Sequence, residues 1–142
     1  MTSNQLPITV GNRHNDERGI ITFNNDFDAS QIKRIYTIEN HSTEFLRGWQ
    51  GHSIESRWFA VMKGKFKIGM ILFDDINELK PETKIEWFEI EEGNLDYLYF
   101  PPKHLSCIQA LEPNSKLLVL CNYALGEVQD EIRYPVEFFD RK

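Results

Sequence analysis

Only two cysteines, Cys107 and Cys121, occur in 142 residues, each inside an apolar run, which excludes a disulfide-stapled secreted scaffold and makes both thiols reduced core residues. Positive charge is also scarce. Lys and Arg number 16 against 22 Asp and Glu, a formal net charge of -6, and no stretch gathers basic residues among aromatics as a nucleic-acid track would. No DNA or RNA partner is expected. Long apolar runs are missing: none approaches the about eighteen residues of a membrane span, and Met1–Gln5 has no basic region leading into an apolar one. A cytoplasmic protein without membrane association is the expectation. There is no Gly-x-Ser-x-Gly turn and no phosphate-cradling glycine loop, and neither cysteine has a histidine beside it, so nucleophilic hydrolysis finds no support.

What the chain does have is β-forming side chains. Aromatics make up 13% of it, with ten Phe and five Tyr, a content that suits a sheet-rich core. Its length suits one domain, 1–142, able to bury a core without metal or disulfide. Runs rich in Ile, Val, Phe, Tyr and Trp recur at the spacing of a sandwich or barrel. They predict strands at Gly19–Asn24, Gln31–Glu39, Phe45–Gly51, Arg57–Met62, Lys65–Phe73, Lys84–Ile90, Asp96–Phe100, Leu105–Leu111 and Lys116–Tyr123. Lys63-Gly64-Lys65 reads as a tight hairpin, and Glu92-Gly93-Asn94 and Glu112-Pro113-Asn114-Ser115 as further turns. Asp74–Glu82 reads as an exposed loop. After Tyr123 the alternation is lost, and Gly126–Ile132 reads as a short helical cap limited by Pro135. An antiparallel all-β jelly-roll barrel, whose interior holds one small ligand, is the predicted fold.

Within this pattern two neighbouring stretches stand out, Ile32-Lys33-Arg34-Ile35-Tyr36 and Arg47-Gly48-Trp49-Gln50-Gly51-His52. Strand alternation puts Arg34 and Tyr36 on the face of Ile32 and Ile38, which points inward. An arginine inside a small barrel is either paired with an acid or waiting for an anion, and both readings stand at this point. The same alternation joins Gln50 to His52 and leaves the direction of Arg47 open, because Gly48 or Gly51 could mark a bulge. His52, with an ordinary pKa near ~6.5, is the candidate base. His104, at the entry to a later strand, is a candidate at the barrel mouth, whereas His14 and His41 lie in polar loops. A barrel metal site would need a histidine at Gln50 and a glutamate at Arg57. A cation in the second place repels a metal, so His52, Glu55 and His104 are not expected to form a centre, and no cofactor is predicted. Arg57 favours an anion instead. With Arg34 and Arg47 it could embrace a diphosphate through charge-assisted hydrogen bonds.

Asp16-Glu17-Arg18-Gly19, the two stretches above, Leu118-Val119-Leu120-Cys121-Asn122-Tyr123 and Glu131-Ile132-Arg133-Tyr134 resemble, in order, the cupin-type dTDP-sugar 3,4-ketoisomerases. Phe100-Pro101-Pro102-Lys103-His104-Leu105-Ser106-Cys107-Ile108-Gln109-Ala110-Leu111 is similar to the related dTDP-4-dehydrorhamnose 3,5-epimerases. The resemblance implies a jelly roll working on a nucleotide-linked 4-keto-6-deoxy sugar without metal or redox cofactor. It implies Arg18, Arg34 and Arg47 on the nucleotide diphosphate or sugar, Tyr36 in the sugar pocket, and His52 as the second histidine of the motif. Gln50 stands where the motif has its first histidine, Ser53 where it has lysine and Arg57 where it has glutamine. The implied roles are His52 as base, Tyr36 as acid or relay, and Gln50 as a neutral donor to the developing oxyanion. The alternative is a nucleotide-sugar or carbohydrate-binding barrel that has lost its base at Gln50. Related barrels exchange edge strands, which implies a homodimer.

Overall fold

From Lys65 to Leu72 the residues Phe66, Ile68 and Met70 fall at every second position and are all buried. That period sets one face of a pleated strand against a core. A computed structural model describes residues 7–141; Met1–Gln5, read above for targeting signals, lies outside them. The described residues form twelve strands: β1 (Ile8–Thr9), β2 (Asn12–Asp16), β3 (Gly19–Phe23), β4 (Arg34–Ile38), β5 (Arg47–His52), β6 (Arg57–Lys63), β7 (Lys65–Leu72), β8 (Glu86–Glu91), β9 (Tyr97–Phe100), β10 (His104–Ala110), β11 (Lys116–Cys121) and β12 (Glu131–Arg133). Two five-stranded sheets, β1-β9-β6-β11-β4 and β12-β5-β10-β7-β8, face each other, and β2 and β3 form a separate two-stranded ribbon. All pairings are antiparallel. This is the cupin-like jelly roll that the strand pattern predicts.

The turn at Gly64 is real but does not make a hairpin. β6 pairs in one sheet and β7 in the other, so the chain crosses the barrel there. Gly64 has φ 80, and a Cβ on it would come within 2.0 Å of Ser115 Oγ, a position only glycine fills. Between the sheets, Phe59, Val61, Phe66, Ile68, Leu98 and Val119 form the main core, each contributing about 1.5–3 kcal/mol by burial. A second cluster lies on the outer face of the β5-containing sheet, where Trp49, Ile71, Leu105 and Cys107 are covered by Phe139 from the C-terminal segment. Being buried on both sides is why Leu105–Ile108 reads as a nearly unbroken apolar run rather than an alternating one.

That covering segment corrects one expectation. The stretch Gly126–Ile132 does not form a helical cap. Its end enters β12, which pairs with β5 at Glu131↔His52, Ile132↔Gly51 and Arg133↔Gln50, and the helical turn comes later, at Val136–Phe138. Ile132, Tyr134, Phe138 and Phe139 must cover the Trp49 face, and the open edge of β5 supplies backbone partners that a local helix would forgo. β2 was equally hidden from the pattern, since all but one of Asn12–Asp16 is exposed and no apolar alternation marks it.

Candidate active site

Register brings the polar residues to one end of the barrel. Across one sheet, Arg34, Cys121, Arg57 and Phe100 stand in a row on β4, β11, β6 and β9, and Tyr36 follows one pleat deeper. Across the other, Glu131, His52 and His104 are partners on β12, β5 and β10, with Arg133, Gln50 and Ser106 in the next row on that face. Between these rows is a cavity of about 580 Å³ whose wall includes Arg34, Tyr36, Gln50, His52, Glu55 and Arg57, and whose remaining side is the segment 124–131. Backbone approach at this end is close: a Cβ on Gly51 would lie 2.3 Å from the His104 carbonyl oxygen, so the residue between Gln50 and His52 has no room for a side chain.

His52 is buried, and its Nδ1–H donates to Asp130 Oδ1 at 2.8 Å. The other oxygen of Asp130 accepts the backbone N–H groups of Ile54 and Glu55, each at 2.8 Å. Burial disfavours the charge on Asp130, but the hydrogen bonds from His52, Glu55 and Ile54 outweigh it and hold this carboxyl below its ordinary range. An ionised carboxylate only accepts, so it keeps a proton on Nδ1, and the neutral form of the ring then carries its lone pair on Nε2. That Nε2 is buried and makes no hydrogen bond. Glu55 Oε2 lies 3.8 Å from it and accepts a hydrogen bond from Arg57 Nε at 2.8 Å.

Tyr36 faces this array from the opposite sheet. Burial pushes its phenol above the ordinary range, with the Arg57 guanidinium drawing it partly back, so it is protonated at neutral pH. The Arg34 guanidinium sits 4.5 Å over the Tyr36 ring, an attraction between cation and π face. For Arg57, burial works against the charge, but the ionised form that Tyr36 takes at high pH and the bond to Glu55 prevail and its pKa is raised. The Cys121 thiol is pushed up to about 11, chiefly by burial. The arrangement can hold a proton on the phenol, accept one at the imidazole, and place guanidinium charge on an anion.

Of the residues proposed from sequence, Tyr36, Gln50, His52, Arg34 and Arg57 line the cavity. His104 borders a narrow adjoining space together with Gln50, His52 and Glu55, and its Nδ1 donates to the Pro102 carbonyl. Arg47 and Arg18 are not brought there. Arg47 lies at the far end of β5, about 16 Å from His52 at the strand's rise per residue, where it is exposed and donates to Asn40 Oδ1 at 3.2 Å. Arg18 is exposed at the tip of the β2–β3 ribbon and pairs with Asp16 at 2.7 Å. Glu55 and Asp130 are the residues sequence reasoning missed in these roles. Glu55 enters the sequence reading only with the metal centre that is not expected there, and in the fold Arg57 holds its carboxylate. Asp130 lies 78 residues from His52 in the chain, and no local pattern signals it.

Solved structures with this fold include the sugar 3,4-ketoisomerase QdtA from Thermoanaerobacterium thermosaccharolyticum in complex with TDP, which has a TM-score of 0.71 at 19% identity, covering 93% of this chain and 90% of that one. A 3,4-ketoisomerase from Helicobacter canadensis has a TM-score of 0.66 at 22% identity over 92% of both chains. The rmlC epimerase of Mycobacterium tuberculosis has a TM-score of 0.68 at 16% identity over 89% of this chain and 66% of its own. No curated protein matches the sequence. The family model described as FdtA, WxcM-like, C-terminal matches residues 5–142, and the chain therefore belongs to that family.

Proposed function

We propose that this protein is a nucleotide-sugar isomerase or epimerase that acts on a dTDP-4-keto-6-deoxyhexose, by 3,4-ketoisomerisation or 3,5-epimerisation, in deoxysugar biosynthesis. The proton alpha to the keto group is removed, an enolate or enediol forms, and the proton returns to another atom or face. His52 is the base, its free Nε2 presented by Asp130. Tyr36, protonated because it is buried, is the acid, and Gln50 donates to the developing oxyanion. Arg34 and Arg57 contact the diphosphate or sugar, and His104 lies within reach of the sugar end. The observation that carries the reading is the His52–Asp130 pair set in the wall of a cavity of about 580 Å³ opposite a phenol and two guanidinium groups, a volume within the usual range for small-molecule sites.

The test is incubation with dTDP-4-keto-6-deoxyglucose in deuterated water, followed by proton NMR. Deuterium beside the keto group together with an isomerised product is the expected result, and His52→Asn abolishes both while TDP still binds. A second reading is favoured by Gln50, whose amide lines the cavity and takes no proton at neutral pH: a sugar-nucleotide-binding barrel without catalysis. Tight binding of the same compound with no deuterium incorporation would establish that reading instead. A cytoplasmic homodimer completes the proposal. The ribbon that carries Arg18, with Ile20 and Ile21 exposed on it, pairs with no other described strand, and Arg18 joins a site only if a second copy brings it there. Sedimentation at the monomer mass would remove Arg18 and the dimer from the proposal.

A further inference from the structure

The loop between β5 and β6 carries Glu55 into the cavity wall, where it is 6% exposed. A carboxylate at that depth is costly unless donors share it. Arg57 Nε donates to Oε2, and Oε2 stands 3.8 Å from the unpartnered Nε2 of His52. The gap is slightly longer than a hydrogen bond. Asp130, on the other side of the ring, is gripped by the backbone N–H of Glu55 itself, so one short stretch of backbone fixes both carboxylates relative to the imidazole. Returning the proton to carbon on the other face requires that it be offered from a second direction. A lone Nε2 held by Asp130 offers one direction, the Gln50 amide offers none, and the Tyr36 phenol is the acid for the developing oxygen rather than for carbon.

Resting on the isomerase reading above, we propose that Glu55 is the second proton station of this site. The substrate C–H bond breaks, its electron pair remains as the enolate, and the proton bonds to His52 Nε2, giving an imidazolium between two carboxylates. The Nε2–H bond then breaks in favour of Glu55 Oε2, which restores the neutral imidazole and leaves a carboxylic acid facing the cavity. The enolate pair takes that proton at the new carbon or face; in ketoisomerisation the neighbouring hydroxyl gives up its O–H proton as its carbon becomes the ketone, the Tyr36 phenol relays a proton to the former keto oxygen, and Glu55 is a carboxylate again. No proton or electron is gained or lost over the cycle.

Glu55→Gln separates this role from a structural one, because its carbonyl still accepts from Arg57. With dTDP-4-keto-6-deoxyglucose in deuterated water, isomerised product should fall by about 100-fold or more. Deuterium should continue to enter beside the keto group, because His52 still removes and returns the proton on its own side, and TDP affinity should stay within threefold. Glu55→Asp, which restores a carboxylate, should recover part of the product rate. The proposal is overturned if exchange and product formation fall by the same factor, or if neither falls. A wild-type protein that produces neither exchange nor product defeats the isomerase reading and this inference together, whereas full activity in Glu55→Gln defeats the Glu55 assignment alone.

Discussion

Replacing Asp130 by Asn removes one charge and almost no volume, yet it should reverse the imidazole it supports. One oxygen of Asp130 takes the Nδ1–H of His52 and the other takes two backbone N–H groups, from Ile54 and Glu55. An asparagine has a single acceptor oxygen. Turned toward the two amides, it satisfies both and presents its NH2 to Nδ1, which must then accept and drive the ring proton to Nε2. Turned the other way, it preserves the working tautomer but strands the buried amide of Glu55, at about 1–3 kcal/mol, and the part-buried amide of Ile54 as well. The first cost alone corresponds to about one to two decades in population, so solvent-proton exchange into dTDP-4-keto-6-deoxyglucose should fall at least about 5- to 150-fold, with TDP affinity within threefold. Nitrogen-15 NMR should find Nδ1 protonated in the wild type and bare in the variant. Exchange within threefold of wild type, or a protonated Nδ1 in Asp130→Asn, would refute the reasoning. The pH dependence has a definite sign. Because the carboxyl of Asp130 is held below its ordinary range, it contributes stability above the unfolded value of about 3.9 that is lost as pH falls through the lower folded value. The stability gap between wild type and variant should therefore narrow below about pH 4.

Arg34→Ala should weaken TDP binding at least about tenfold, the value of one charge-assisted hydrogen bond, whereas Arg47→Ala, at the far end of β5, should leave it within twofold; isothermal titration of both tests the placement, and equal losses would contradict it. Burial of Tyr36 predicts no tyrosinate from it below about pH 10, read as the ultraviolet difference between wild type and Tyr36→Phe. An absorbance step near neutrality would remove Tyr36 as an acid. Both thiols, each pushed up to about 11 by burial, should resist a disulfide reagent at pH 8 in the folded protein and react in denaturant. Prompt reaction of either would place it at the surface.

How legible the site was in the sequence depended on range. Arg34 and Tyr36 could be placed inside because Ile38 shares their parity on β4 and packs against the main core, although Ile32, read as part of the same face, precedes the strand and packs with the outer cluster; Gln50 and His52 follow the same rule on β5. Arg47 could not, because β5 meets β10 with a register shift between Ser106 and Ile108, and because distance along a strand, not parity, decides which end of the barrel a side chain reaches. The spacing of His52 and Glu55 is visible in the sequence and a metal there is not expected, but the spacing does not show that Arg57, two residues on, pairs with Glu55. β12 read as a helical cap because its three residues have little intrinsic strand character apart from Ile132, and the edge it pairs with is distant in sequence.

The chain's own pattern determined an all-β barrel, an interior carrying Arg34, Tyr36 and His52, and thiols with no chemistry to do, because burial on a strand follows a period of two that neighbouring residues announce. Tertiary structure alone decided which sheet each strand joined, which arginines share the cavity, and that Asp130 fixes the proton on His52. These are contacts between residues tens of positions apart, set by how two sheets close on one core, and no local run of side chains encodes them.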